Sequence, residues 1–235
     1  MPYNAEIFTS SIVGLGDFNP AIFSPDWLER NNLIGKDDAS AAREGQNFIV
    51  THQVSAFETD WFALQVMENQ CTLTSKGVLT PALQDLAVGI FQLVPHTPIQ
   101  AIGLNFMAHY KLATEVEYHQ VGDVLAPKKI WNNLFSDADH SAGLANLTIR
   151  IQHGARGTPP KSGNAINVSL QPSGKFKTGI AFTYNDHHHL RNGESSHSSA
   201  EDAATVIEDG WQAAWQDAER VFGGLIHAAL GDPHG

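Results

Sequence analysis

Residues 79 to 112 read LTPALQDLAVGIFQLVPHTPIQAIGLNFMAHYKL. Leu79, Leu83, Leu86, Ala87, Ile90, Phe91 and Val94 recur at helical spacing, and Ala82, Val88 and Gly89 fill much of the remaining circumference. That pattern predicts a helix opened by Thr80-Pro81 and buried on most sides. Pro95-His96-Thr97-Pro98 then forbids continuation, because a proline lacks an N–H and biases its predecessor toward extended geometry. From Ile102 a strand follows. Leu104, Phe106, Ala108, Tyr110 and Leu112 share one face, and Gly103, Asn105, Met107, His109 and Lys111 share the other.

Upstream, residues 5 to 13 are rich in Ile, Phe, Thr and Val and predict a first strand that ends in Gly14-Leu15-Gly16. Ser24 is placed to cap a short helix with Pro25 at its first position. Lys36 to Gly45 is polar and rich in small residues, which predicts a loop or a marginal helical turn. Phe48, Val50, Val54 and Ala56 suggest one strand, Phe62, Leu64 and Val66 the next, and Cys71 with Leu73 a fourth.

Downstream, Thr114 can cap a helix carrying Val116, His119 and Val121, and Pro127 can open another with Ile130, Trp131, Leu134 and Phe135. Ala145, Leu147, Ile149 and Ile151 alternate cleanly with polar residues. Further strands are marked by Ile166, Val168 and Leu170, and by Ile180, Phe182 and Tyr184, with a Gly/Pro-rich loop at residues 154 to 163. A long amphipathic helix closes the chain. Ser198-Ser199-Ala200-Glu201 predicts its capping box, Ala204, Ile207, Trp211, Ala214, Trp215, Ala218, Phe222, Leu225, Ile226 and Ala229 its inner stripe, and Gly223-Gly224 a break or bend.

This order predicts an α+β fold, with antiparallel sheet and helices on one face. Two similar strand-strand-strand-helix halves are expected, over residues 1–112 and 113–235, joined closely enough that they could be one continuous domain. The opening strand, the hairpin Ala63 to Ser75, the IGLNF strand at Ile102 to Phe106 and the TYND end of a strand before a Trp-containing helix resemble a sporadically distributed family of bacterial proteins. That resemblance implies a soluble cytoplasmic α+β protein with no established reaction and no catalytic residues to transfer.

The totals bound the chemistry. The net charge of −11 over 235 residues disfavours loose association of the whole surface with nucleic acid or an anionic membrane. No span reaches the roughly 20 apolar residues of a membrane helix, and Met1 to Ser11 lacks the basic start and apolar run of a secretory signal. The single cysteine, Cys71, permits neither an internal disulfide nor a multi-cysteine zinc site. A cytoplasmic location is expected.

Few residues suggest a site. Asp186-His187-His188-His189, with His197 nearby, could ligate a metal through Asp186, His187, His189 and His197, although neighbouring residues rarely all reach one ion. Glu115, His119 and Asp123 share a helical face that reads as a solvated stripe. Gly14-Leu15-Gly16 lacks the third glycine and the helix of a dinucleotide fingerprint. Between His140 and Asn185 the chain carries Arg150, Arg156, Lys161, Lys175 and Lys177 and no acid, a basic stretch that could hold a phosphate or nucleic acid. No phosphate loop, nucleophile elbow or zinc-protease helix is present, and no cofactor is implied. The leading expectation is a non-enzymatic protein that binds another protein or itself, through sheet edges and the exposed side of the aromatic C-terminal helix. The alternatives are a nucleic-acid or phosphate-ligand binder on the basic strands and a metal-dependent hydrolase on the histidine segment.

Overall fold

The alternating residues around Phe106 form a thirteen-residue strand, Ile99–Lys111, at the middle of the molecule. A computed structural model describes residues 4–77, 81–134, 142–152, 163–190 and 198–231. In chain order the elements are β1 (Ile7–Gly16), a 3-10 turn at Pro20–Ile22, α1 (Pro25–Arg30), α2 (Lys36–Glu44), β2 (Ile49–Val50), β3 (Val54–Glu58), β4 (Phe62–Met67), β5 (Gln70–Ser75), α3 (Pro81–Leu93), β6 (Ile99–Lys111), α4 (Glu115–Leu125), α5 (Lys129–Leu134), β7 (Leu147–Gln152), β8 (Ala165–Pro172), β9 (Gly179–His189) and α6 (Ala200–Leu230). The strands make one nine-stranded antiparallel sheet in the order β2-β3-β4-β5-β1-β6-β9-β8-β7. This is the expected α+β architecture.

The strand order is a palindrome about the β1–β6 pair. On one side lie β5, β4 and β3; on the other lie β9, β8 and β7. Each set of three follows its central strand in the chain and precedes a helix, α3 or α6. By position in the sheet, β6 does for the second set what β1 does for the first. The sheet runs unbroken across residue 112, where β6 meets β9 along the full register from Ala101↔His189 to Lys111↔Gly179.

The helices pack on one face of this sheet. Phe106 meets Trp211 with ring centroids 4.9 Å apart, and Phe182 stacks on Phe222 at 5.7 Å. Trp211 is 1% exposed. Leu83, Leu86, Ala87, Ile90 and Phe91 of α3 are buried, whereas Ala82, Asp85, Gln92 and Leu93 meet solvent, so α3 is less enclosed than its composition suggests. α6 is continuous through Gly223-Gly224. Its flanking turns are held by Phe222 and Ile226, both buried, so packing offsets the glycine penalty of about 1 kcal/mol each.

Three further local expectations differ from the structure. Lys36 to Glu44 is a helix, because Ala39 and Ala42 fit fully buried beneath its neighbours and Asp37 and Asp38 sit at its positive end. The strand expected across Phe48 to Ala56 is two strands, split where the Thr51 hydroxyl accepts from the N–H of Gln53 and of Val54. The capping box lies one residue on, at Ser199 and Asp202, because Ser198 is drawn into the sheet by a hydrogen bond to the Ile99 carbonyl. Trp131 (58% exposed) and Leu134 on α5, and Val116 (74% exposed) on α4, face outward. The positions of Leu79, Thr80 and Phe135 lie outside the described residues.

Candidate functional site

With the core helices on one side, the odd-numbered residues of β6 from Ala101 onward face the other; Ile99 lies before a register shift and turns into the core. Antiparallel partners point the same way, so the register assembles rows of side chains across the sheet. One row runs Glu58, Ala63, Thr74, Ser11, Asn105, Asn185, Asn167 and Arg150. At its centre the amides form a ladder: Asn185 Nδ2 donates to Asn105 Oδ1 at 2.6 Å, and Asn167 Nδ2 donates to Asn185 Oδ1 at 3.0 Å. Gly103 packs closely beside it, where a Cβ would stand 3.1 Å from Asn185 Nδ2. Alternation along the sequence puts Asn105 on this side but misses the ladder, whose only trace is one asparagine on the outward parity of each of three strands.

The next row holds the histidines. Residues 179–189 form one strand, so the Asp186 to His189 run is not a loop but the end of β9, and alternation divides it. His187 and His189 share the face opposite the core helices, with ring centroids 4.7 Å apart. Asp186 and His188 point to the helix side, where His188 Nε2 lies 3.0 Å from Asp186 Oδ2. That contact is in ion-pair range but off hydrogen-bond geometry, leaving Nε2 buried without a hydrogen bond. Burial lowers the His187 pKa, helped by the charges of His189 and Arg150. Asp186 therefore cannot join His187 and His189 on one ion. His197 lies outside the described residues, and among those described no group of three or more His, Cys, Asp or Glu is placed to hold a metal.

The basic residues do not gather. Arg150 stands on β7 opposite Asn167, five residues along β8 from Pro172, which is roughly 17 Å at ~3.3 Å per residue. Lys175 and Lys177 are in the turn beyond that end. Lys177 pairs with Glu115 at 3.4 Å, and the Lys175 N–H donates to the Ser173 hydroxyl. Arg156 and Lys161 lie outside the described residues.

Other candidates resolve into structure. Glu115 and Asp123 of α4 are ion-paired, Asp123 with Lys128 at 2.8 Å. His119 lies edge-on to Tyr118 and lines a cleft of about 190 Å³ with Lys128 and Ile180. The exposed side of α6 is acidic, carrying Glu201, Asp202, Glu208, Asp209 and Glu219, while Trp211 is turned inward and Trp215 is half-buried, so this helix does not present an aromatic surface.

One edge of the sheet is different from the other. β2 ends it with two residues. At the far end β7 has six, and among the described residues nothing pairs with its outer side. Ile149 and Ile151 on β7 are 52% and 49% exposed, on the helix side but beyond the cover of α6. β7 holds no proline and its register with β8 shows no bulge; of the devices that usually close a sheet edge to further pairing it carries a single charge, Arg150. Among the described residues no helix is long and apolar enough to cross a membrane. No family model and no curated protein matches the chain.

Proposed function

We propose that this chain is a non-enzymatic protein-interaction component that accepts a further strand on the outer edge of β7, first of all the β7 of a second copy. The observation that carries this reading is a six-residue edge strand, without a partner on its outer side among the described residues, that bears two half-exposed isoleucines. Strand addition would satisfy the outward N–H and C=O groups and remove apolar surface in one step. Two β7 edges can meet antiparallel about a two-fold axis, which makes the interface self-complementary. A register that sets Ile149 against Ile149 places Arg150 opposite Thr148 and Ile151 opposite Leu147, avoiding like-charge contact.

The alternatives have weaker support. A nucleic-acid face needs convergent cations, and here Arg150 is separated from Lys175 and from the ion-paired Lys177. A hydrolase built on Asp186, His187 and His189 needs ligands that alternate strand geometry sends to opposite faces. A cytoplasmic setting remains part of this reading, on the strength of a single reduced, buried cysteine.

Sedimentation equilibrium tests the proposal. The wild-type chain should show a reversible dimer in the micromolar range, and Ile149→Lys, with its charge on the pairing surface, should be monomeric with an unchanged circular dichroism spectrum. A wild-type chain that stays monomeric to millimolar concentration, or a dimer indifferent to Ile149→Lys and Ile151→Lys, would overturn it.

A further inference from the structure

The sheet face opposite the core helices carries a pair of imidazoles over a floor of very small residues. His187 is flanked across the strands by Gly103 on β6 and Ala165 on β8, and His189 by Ala101 on β6. Beyond His189 comes Gly163, held at φ +70°, where a Cβ would stand 2.7 Å from His189 Cδ2. All four neighbours thus lack a side chain that could rise beside the rings. The two imidazoles are the functional groups above those small residues, and His189 is the more exposed.

We propose that His187 and His189 together form a two-histidine chelate for a divalent transition-metal ion of the zinc and copper class, with the remaining coordination positions open to water or an incoming ligand. Residues i and i+2 of a strand are about 6.6 Å apart along the chain and point the same way. Two imidazole arms can close that gap onto one ion at about 2.0–2.1 Å from each nitrogen. Imidazole is a ligand of choice for these metals, and copper(II) binds a given nitrogen site more tightly than zinc. The separation of the histidine run into two faces defines the ligand set. Asp186 and His188, although adjacent in sequence, belong to the helix side and take no part. The positive charge of Arg150 is felt at His187 and opposes cation binding there.

Equilibrium dialysis of the tag-free full chain against Zn²⁺ and against Cu²⁺ provides the test, with His187→Gln, His189→Gln and His188→Gln compared. The expected result is one ion per chain, tighter for Cu²⁺, with at least about tenfold weaker binding in His187→Gln and in His189→Gln and none of that loss in His188→Gln. Because a variant can perturb the sheet, imidazole NMR shifts of the wild-type chain supply a second readout: sub-stoichiometric Zn²⁺ should move the His187 and His189 resonances before those of the other ten histidines, twelve being present in all. Binding unaffected by either glutamine variant, equal loss in His188→Gln, or titration of other histidines first would overturn the proposal.

Discussion

Cys71 lies on β5 beneath the helix layer, opposite Gly14 of β1, and burial pushes its thiol up to about 12. With almost no thiolate at neutral pH it is inert. A disulfide reagent should leave the native chain unlabelled and modify Cys71 only at the rate of unfolding; rapid stoichiometric labelling would show that the core opens locally. His109 titrates in the opposite sense. Burial, and after it the nearby Lys175 charge, lowers its pKa below the ordinary 6.5, while Nδ1 stays 2.8 Å from the Ser173 hydroxyl. As pH falls through about 6.5 the unfolded chain takes up the proton first, so stability is lost from there downward until the folded-state pKa is passed. His187 acts in the same direction. Denaturation midpoints at pH 7.5 and 5.5 should therefore differ, and His109→Gln should reduce that difference. Gly16 is the tightest backbone approach: a Cβ would stand 2.1 Å from the Pro98 carbonyl oxygen. Gly16→Ala should cost about 1–3 kcal/mol by overpacking. In the sequence this glycine stands out only as part of a failed nucleotide motif, and the register of β1 against the segment at Pro98 and Ile99 is what explains it.

The helices show how pattern and context divide the work at the scale of the element. α6 was legible from its stripe, since Ile207, Trp211, Phe222 and Ile226 are buried where the 3.6-residue period puts them. Those four side chains contribute roughly 1.5–3 kcal/mol each, as an upper bound. Trp211→Ala should cost about 3–5 kcal/mol in urea denaturation. At Gly224 nothing lies within 4 Å of the place a methyl group would take and the residue is helical, so Gly224→Ala should stabilise by about 0.5–1 kcal/mol. A loss instead would mean that the helix end uses the flexibility of its glycine pair. α2 was missed for the opposite reason. Its signal is two alanines, which carry too little hydrophobicity to register until a closely packed site makes their small size the deciding property. Strand β7 alternates as clearly as any in the chain, yet its isoleucines are half-exposed because alternation reports a face, not whether anything covers it.

At the scale of the molecule, α3 and α6 meet over the central pair β1 and β6, and each closes one arm of the palindrome. Loss of α6 uncovers the faces of Phe106 and Phe182. A chain ending before Trp211 should show no cooperative thermal transition, and retention of one would mean that the first arm and α3 fold alone. The halves were readable as a repeated order of elements without any residue repeat. Their junction was not, because the partner of β6 is set by tertiary pairing with β9, 80 residues distant, as the Asn105 to Asn185 hydrogen bond illustrates.

The sequence by itself determined the elements and most of their inner faces. Period and capping chemistry act within a few residues, so β6, α4 and α6, the Ser24 and Thr114 caps and the α+β class follow from neighbours along the chain. Tertiary structure alone decided that Arg150 stands apart from Lys175 and Lys177, which histidines share a face and which sheet edge lacks a partner among the described residues. Those properties depend on register and on cover by distant helices, and a single strand's alternation carries neither.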